Sequence, residues 1–177
     1  MFCYQCEQHD EGKCGTTKGV CGKDDTTAAL QDLLLYAAQG TARYAVEARK
    51  LGATDSVVDK SIVEALFTTV TNVNFDAARL QQEINTAVDV RDQAKALYEN
   101  AAGAGAQSFN GATTFTPASD LPSLVSQAKV ASILENKKIF GDDINALREM
   151  MVYGLKGAAA YMDHAMVLGY EDQSIYG

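Results

Sequence analysis

From residue 28 onward apolar residues recur at steps of three and four. Leu30, Leu33, Leu34, Ala37, Tyr44, Ala45, Ala48 and Leu51 make one stripe, the period of a helix that buries a single face. Asp24, Asp25, Thr26 and Thr27 stand before it and Gly52 after it. They supply the acceptors and negative charge that the free N–H groups of a helix start require, and then a stop. Val58, Ile62, Leu66 and Val70 predict a second helix from Asp55 or Ser56 to about Asn72. Asp76 is placed to cap a third, with Phe75 packing on Leu80 as a hydrophobic staple. The third stripe is Leu80, Ile84, Ala87, Arg91, Ala94 and Tyr98, close to heptad spacing.

Residues 101–118 lose the period and take the Gly, Ala, Ser and Thr content of a loop. Asp120 and Pro122 fit the first turn of a short helix through Ala128, because proline is tolerated where no N–H partner is needed. Residues 129–141 read equally as helix or irregular chain. Asp142 is expected to cap a last long helix to Gly169, with Ile144, Leu147, Met151, Leu155, Ala158, Met162 and Ala165 inward. Gly154, Gly157 and Ala158 to Ala160 on that helix should meet Ala37, Ala38 and Gly40 on the first, since small residues let backbones approach. The fold class is all-α. Three long helices and a last one form an antiparallel bundle over residues 26–177, preceded by a cysteine-rich loop over residues 1–25, in a single domain.

Composition narrows the partners. A chain of 177 residues with 47% hydrophobic and 21% charged residues is an ordinary one-domain globule. Only two prolines occur, Pro117 and Pro122, which suits helices. No apolar run reaches the roughly 18 residues of a membrane span. A formal charge of −8 argues against nucleic acid, whose phosphates need clustered Lys and Arg. The charge is spread along the chain, as on a solvated helix surface.

The candidate chemistry lies in MFCYQCEQHDEGKCGTTKGVCGKDD, which holds all four cysteines. Cys3 and Cys6 are two residues apart, seven more lead to Cys14 and six to Cys21, so four thiolates can converge from one loop. Gly12, Gly15, Gly19 and Gly22 let its backbone turn N–H groups toward anionic sulfur. Structural zinc is poorly served, because zinc ribbons use two short knuckles and the second spacing here is six. Two disulfides are arithmetically allowed. The first residues, however, lack the basic and apolar regions of a secretory signal, and a core of this size needs no staples. An iron–sulfur cluster on Cys3, Cys6, Cys14 and Cys21 is the favoured reading. His9 reads as an exposed loop histidine that could also tune a cluster, and His164 as a surface or interface side chain. No Ser-His-Asp set, phosphate loop or paired-carboxylate motif is present.

MFCYQCEQ followed by a third cysteine and KGVCGK resembles the start of the hybrid-cluster proteins, also called prismane proteins or hydroxylamine reductases. LQDLLLYAAQG at 30–40, TTVTNVNFD at 68–76 and YGLKGAAAYMDHAMVLG at 153–169 continue the resemblance in order. In that oxidoreductase family four N-terminal cysteines hold the first cluster. The resemblance therefore implies ligand roles for Cys3, Cys6, Cys14 and Cys21. A short gap between the second and third cysteine goes with [4Fe–4S] and a longer one with [2Fe–2S]. The gap here is short, with Cys14 slightly earlier than usual, which implies [4Fe–4S]. The family's second centre reduces hydroxylamine or nitric oxide and takes His, Glu and Cys ligands from later domains, and no such cysteines follow here. The closing YEDQSIYG reads as the opening of another helix. The expectation is an N-terminal electron-transfer module, located in the cytoplasm, that carries electrons without reducing substrate. Its expected partners are the remaining domains of a parent enzyme, an electron-donor protein or a second copy. The competing expectation is a zinc-stabilised helical interaction domain with no redox role.

Overall fold

The computed structural model describes Cys3, Cys6, Cys14, residues 17–70 and residues 73–176. His9, Gly12, Gly15 and the expected helix end at Asn72 lie outside the described residues. The described residues form helices and no strand: α1 (Asp25–Lys50), α2 (Ser56–Thr68), α3 (Ala77–Ala102), α4 (Leu121–Gln127), α5 (Ile133–Phe140) and α6 (Asp142–Val167). Short 3-10 turns lie at Gly103–Gly105, Gly111–Thr114, Ala128–Ala131 and Gln173–Tyr176. The chain is the expected all-α bundle.

Local side-chain chemistry sets the helix starts. The Asp24 carboxylate accepts the Thr27 N–H at 2.7 Å, Asp55 accepts that of Val57, Asp76 those of Ala78 and Arg79, and Asp120 that of Ser123. Each satisfies donors that a first turn leaves without a helical partner. At the far end of α2 the Thr69 hydroxyl donates back to the Leu66 carbonyl at 2.8 Å, and the helix stops short of the predicted end. Leu51 caps α1 and is exposed, so its stripe ends at Ala48.

α1, α2 and α3 make the bundle. At one end Gln31 donates to the Asn74 carbonyl at 2.7 Å, and at the other Tyr44 packs on Tyr98 with ring centroids 6.0 Å apart. α1 and α3 therefore run in the same direction. α2 returns between them, tied to α1 where Arg49 forks onto both oxygens of buried Asp59 at 2.7 Å. One core layer is built on Leu30, Leu33, Leu34, Leu80, Ile84 and Leu124, the other on Tyr44, Ala48, Val58, Val90, Ala94 and Tyr98. Every member of the α3 stripe is buried as predicted. On α2 the buried apolar face is Val58, Val63 and Ala65, while Ile62, Leu66 and Val70 are only partly covered.

Three expectations are corrected. The row Ile144, Leu147, Met151 and Leu155 of α6 does not face inward. Leu147 is 60% and Met151 62% exposed, and the residues α6 buries are Asn145, Lys156 and Ala159. α6 packs along α2, antiparallel to it, with His164 edge-on to Phe67 at 5.6 Å and Glu171 paired to Lys60. Its apolar stripe is real, but nothing among the described residues covers it. Nor do the small residues of α1 and α6 meet. Gly154 and Gly157 face open space, whereas Gly40 lies against the backbone of the Gly111–Thr114 turn, where a Cβ would fall 2.8 Å from the Ala112 carbonyl carbon. The N-cap of α6 is Gly141, with φ +79°, rather than Asp142.

Candidate functional site

The site begins in the turn before α1. Lys18 and Asp24 bridge antiparallel, the Gly19 N–H donates to the Lys23 carbonyl at 2.7 Å and the Gly22 N–H to the Gly19 carbonyl at 2.9 Å. Gly22 takes φ +91°, a conformation that costs other residues a Cβ clash. This closed turn puts Cys21 at an exposed tip and sends the Lys23 side chain inward. Cys14 is buried, and Cys3 and Cys6 are half-buried. Cys6, Cys14 and Cys21 are free thiols.

Lys23 is 1% exposed. Its ammonium donates to Gln31 Oε1 at 2.5 Å, lies 4.0 Å from Cys3 Sγ and stands 5.5 Å over the Phe75 ring. Gln31 is fixed in turn by its bond to the Asn74 carbonyl. A buried cation calls for negative charge nearby, and four cysteine thiolates would provide it. By donor chemistry the set suits an iron–sulfur cluster, with soft sulfur ligands beside a buried ammonium. Among the described residues no three Cys, His, Asp or Glu side chains converge to metal-holding distance, so the four sulfurs do not meet at one point.

Behind the cysteines a cavity of about 710 Å³ opens between α1, α5 and α6. Cys6, Asp32, Asn145, Glu149 and Lys156 line it, with Tyr36 and Tyr153 among its larger walls. Burial pushes the Asp32 carboxyl up to about 7 even against the attraction of Lys156. It pulls the Lys156 ammonium down to about 8, partly offset by Asp32, and it raises Glu149 as well. Asn145 donates Nδ2 to the Ile133 carbonyl, and among the described residues its buried Oδ1 has no donor. None of these four polar residues was singled out in the sequence. Their only mark there is a polar or charged side chain among apolar helical positions, which reads as solvated surface.

The Asp32 shift has a testable sign. Between 3.8 and about 7 the folded chain holds a proton that the unfolded chain has lost, so this group's contribution to stability is lost as pH rises through that window. Lys156 acts in the opposite direction above about 8, as pH approaches 10.5. Asp32→Asn should therefore gain on the wild type from pH 4 to 7, by roughly 2 kcal/mol after allowing for partial exposure and coupling to Lys156. Urea unfolding across that range measures the difference. A constant difference would refute the shift.

Bundle and loop together define a helical domain with a cysteine-rich entry, and the comparisons with known proteins place it. The sequence model of the Prismane/CO dehydrogenase family matches residues 1–177, and the chain belongs to that family, whose members bind iron–sulfur clusters. A hydroxylamine reductase from Methanocella arvoryzae is 46% identical over 176 residues, covering 99% of this chain and 32% of that protein. One from Burkholderia ambifaria is 45% identical over 183 residues, covering 99% and 33%. One from Geobacter sulfurreducens is 44% identical, covering 99% and 32%. The chain thus spans about a third of the length of these relatives. No helix among the described residues is long and apolar enough to cross a membrane.

Proposed function

We propose that this chain is the electron-transfer part of a hydroxylamine reductase, holding a [4Fe–4S] cluster on Cys3, Cys6, Cys14 and Cys21. The observation that carries the reading is the Lys23 ammonium, buried against Cys3 in a chain whose four cysteines all precede α1. Such a cluster, when bound, supplies a one-electron centre. The chain's own part is to present thiolates, to keep water from the buried side through Cys14 and Lys23, and to neutralise charge. Four cysteines free of disulfides persist best where thiols are kept reduced, so the reading carries a cytoplasmic location with it. By itself the chain should pass electrons without reducing hydroxylamine, because the reacting centre would take ligands from the remaining two thirds of a family-length protein. That remainder is also the partner we assign to the exposed α6 row, since so large an apolar face on a soluble domain marks an interface.

Anaerobic purification with iron, zinc and acid-labile sulfide analysis tests the assignment. A brown protein containing iron and sulfide is expected. A colourless zinc protein would establish the helical interaction domain instead, and hydroxylamine turnover by these 177 residues alone would overturn the division of labour.

A further inference from the structure

We infer that Lys23 sets the reduction potential of the cluster: its ammonium, locked by Gln31 beside Cys3 Sγ, is a built-in counter-charge that favours the reduced state. The inference rests on the iron–sulfur reading above and adds a residue to it. The geometry has three parts. Lys23 sits two residues past Cys21 in a closed turn, so the turn that carries one cysteine also drives the lysine inward. At 1% exposure the ammonium is withdrawn from the water that would screen it. Its described hydrogen bonds go to the neutral amide of Gln31 at 2.5 Å and toward Cys3 Sγ at 4.0 Å, neither of them a carboxylate.

The ammonium also acts on the Asp32 carboxyl and on Lys156, but of the two groups it bonds only the Cys3 thiol can become an anion, so part of its field falls on whatever charge forms at that sulfur. Adding an electron makes a thiolate-ligated cluster more negative, so a fixed positive charge beside one ligand stabilises the reduced form more than the oxidised one. An N–H directed at the ligand sulfur acts in the same direction. Gln31 is the positioning residue for the lysine. Buried itself and tied by Nε2 to the Asn74 carbonyl at 2.7 Å, it gives the ammonium one place to be.

The test is the midpoint potential of the anaerobically reconstituted protein, with iron and sulfide measured on each sample. Lys23→Met with wild-type iron and sulfide should be harder to reduce by at least tenfold in the one-electron equilibrium, a fall of about 59 mV. Lys23→Arg should recover most of the difference, and Gln31→Leu should fall in the same direction by less. An unchanged potential in a fully loaded Lys23→Met protein would overturn the inference and leave the cluster assignment standing. A wild-type protein without iron and sulfide would overturn both. If Lys23→Met cannot hold a cluster, Gln31→Leu decides: a lower potential in the loaded protein supports the inference, and an unchanged one overturns it.

Discussion

On the proposed cluster assignment, replacing Cys14 by Ser should abolish the iron and sulfide content expected of the wild type while leaving the helices in place. Of the four cysteines Cys14 is the buried one, at 6% exposure, so a serine there cannot be rescued by a thiol or water reaching in from solvent. Serine also lacks the soft, anionic donor that cluster iron requires. Both core layers begin at Leu30 or later, so apolar burial in the bundle, worth roughly 25 cal/mol per Å², does not pass through the loop. Metal analysis should show loss of most iron and sulfide, and far-ultraviolet circular dichroism should be nearly unchanged. Full retention of iron and sulfide would remove Cys14 from the ligand set. Complete unfolding would show instead that the loop is part of the core.

Gly40→Ala should destabilise the protein while Gly154→Ala stabilises it, although both glycines lie within long helices. Alanine gains about 1 kcal/mol over glycine in a helix interior. At Gly154 nothing lies within 4 Å and the gain stands. At Gly40 the new methyl meets backbone of Ala112, and Thr113 N lies 3.2 Å away. Backbone cannot rotate aside, so the Gly111–Thr114 turn must lift from α1. The Arg91 guanidinium, which donates to the Phe115 carbonyl from inside the bundle, and Tyr36, edge-on to Phe115 at 5.8 Å, lie next to that movement. Overpacking of this kind costs roughly 1–3 kcal/mol. Less the helix gain, a net loss of about 1 kcal/mol would lower Tm by about 2–4 °C at this chain length. Thermal unfolding of the two variants should move Tm in opposite directions. A common direction would mean that Gly40 is not held against the turn.

The starts of α1 to α4 and the α3 stripe were legible in the sequence because they depend on neighbours within one or two turns. Asp24, Asp55, Asp76 and Asp120 cap what they precede, and no distant contact competes. The inward face of α6 was not legible, since Leu147 and Met151 have the period of a buried stripe whatever covers them. Periodicity gives the face of a helix but not its partner. Residues 101–118 read as a loop because Gly, Ala and Thr are poor in apolar area. Their role is close approach, which only Gly40 on the opposing helix could have hinted at. At the site the cysteines are conspicuous by type and spacing. Lys23 is not, because a lysine in KGVCGK looks like any solvated charge, and only the closed turn sends it inward.

The α6 row, which no described residue covers, also governs how molecules of this chain behave toward one another. Two such faces attract at contact range, while a formal charge of −8 on each chain repels over a longer distance. That repulsion reaches about 30 Å at 0.01 M salt but only about 3 Å at 1 M. The chain is therefore a colloid whose long-range barrier is made of ions and whose short-range well is made of leucine and methionine. Adding salt lowers the barrier without touching the well, so solutions that stay clear in dilute buffer should cloud as ionic strength rises.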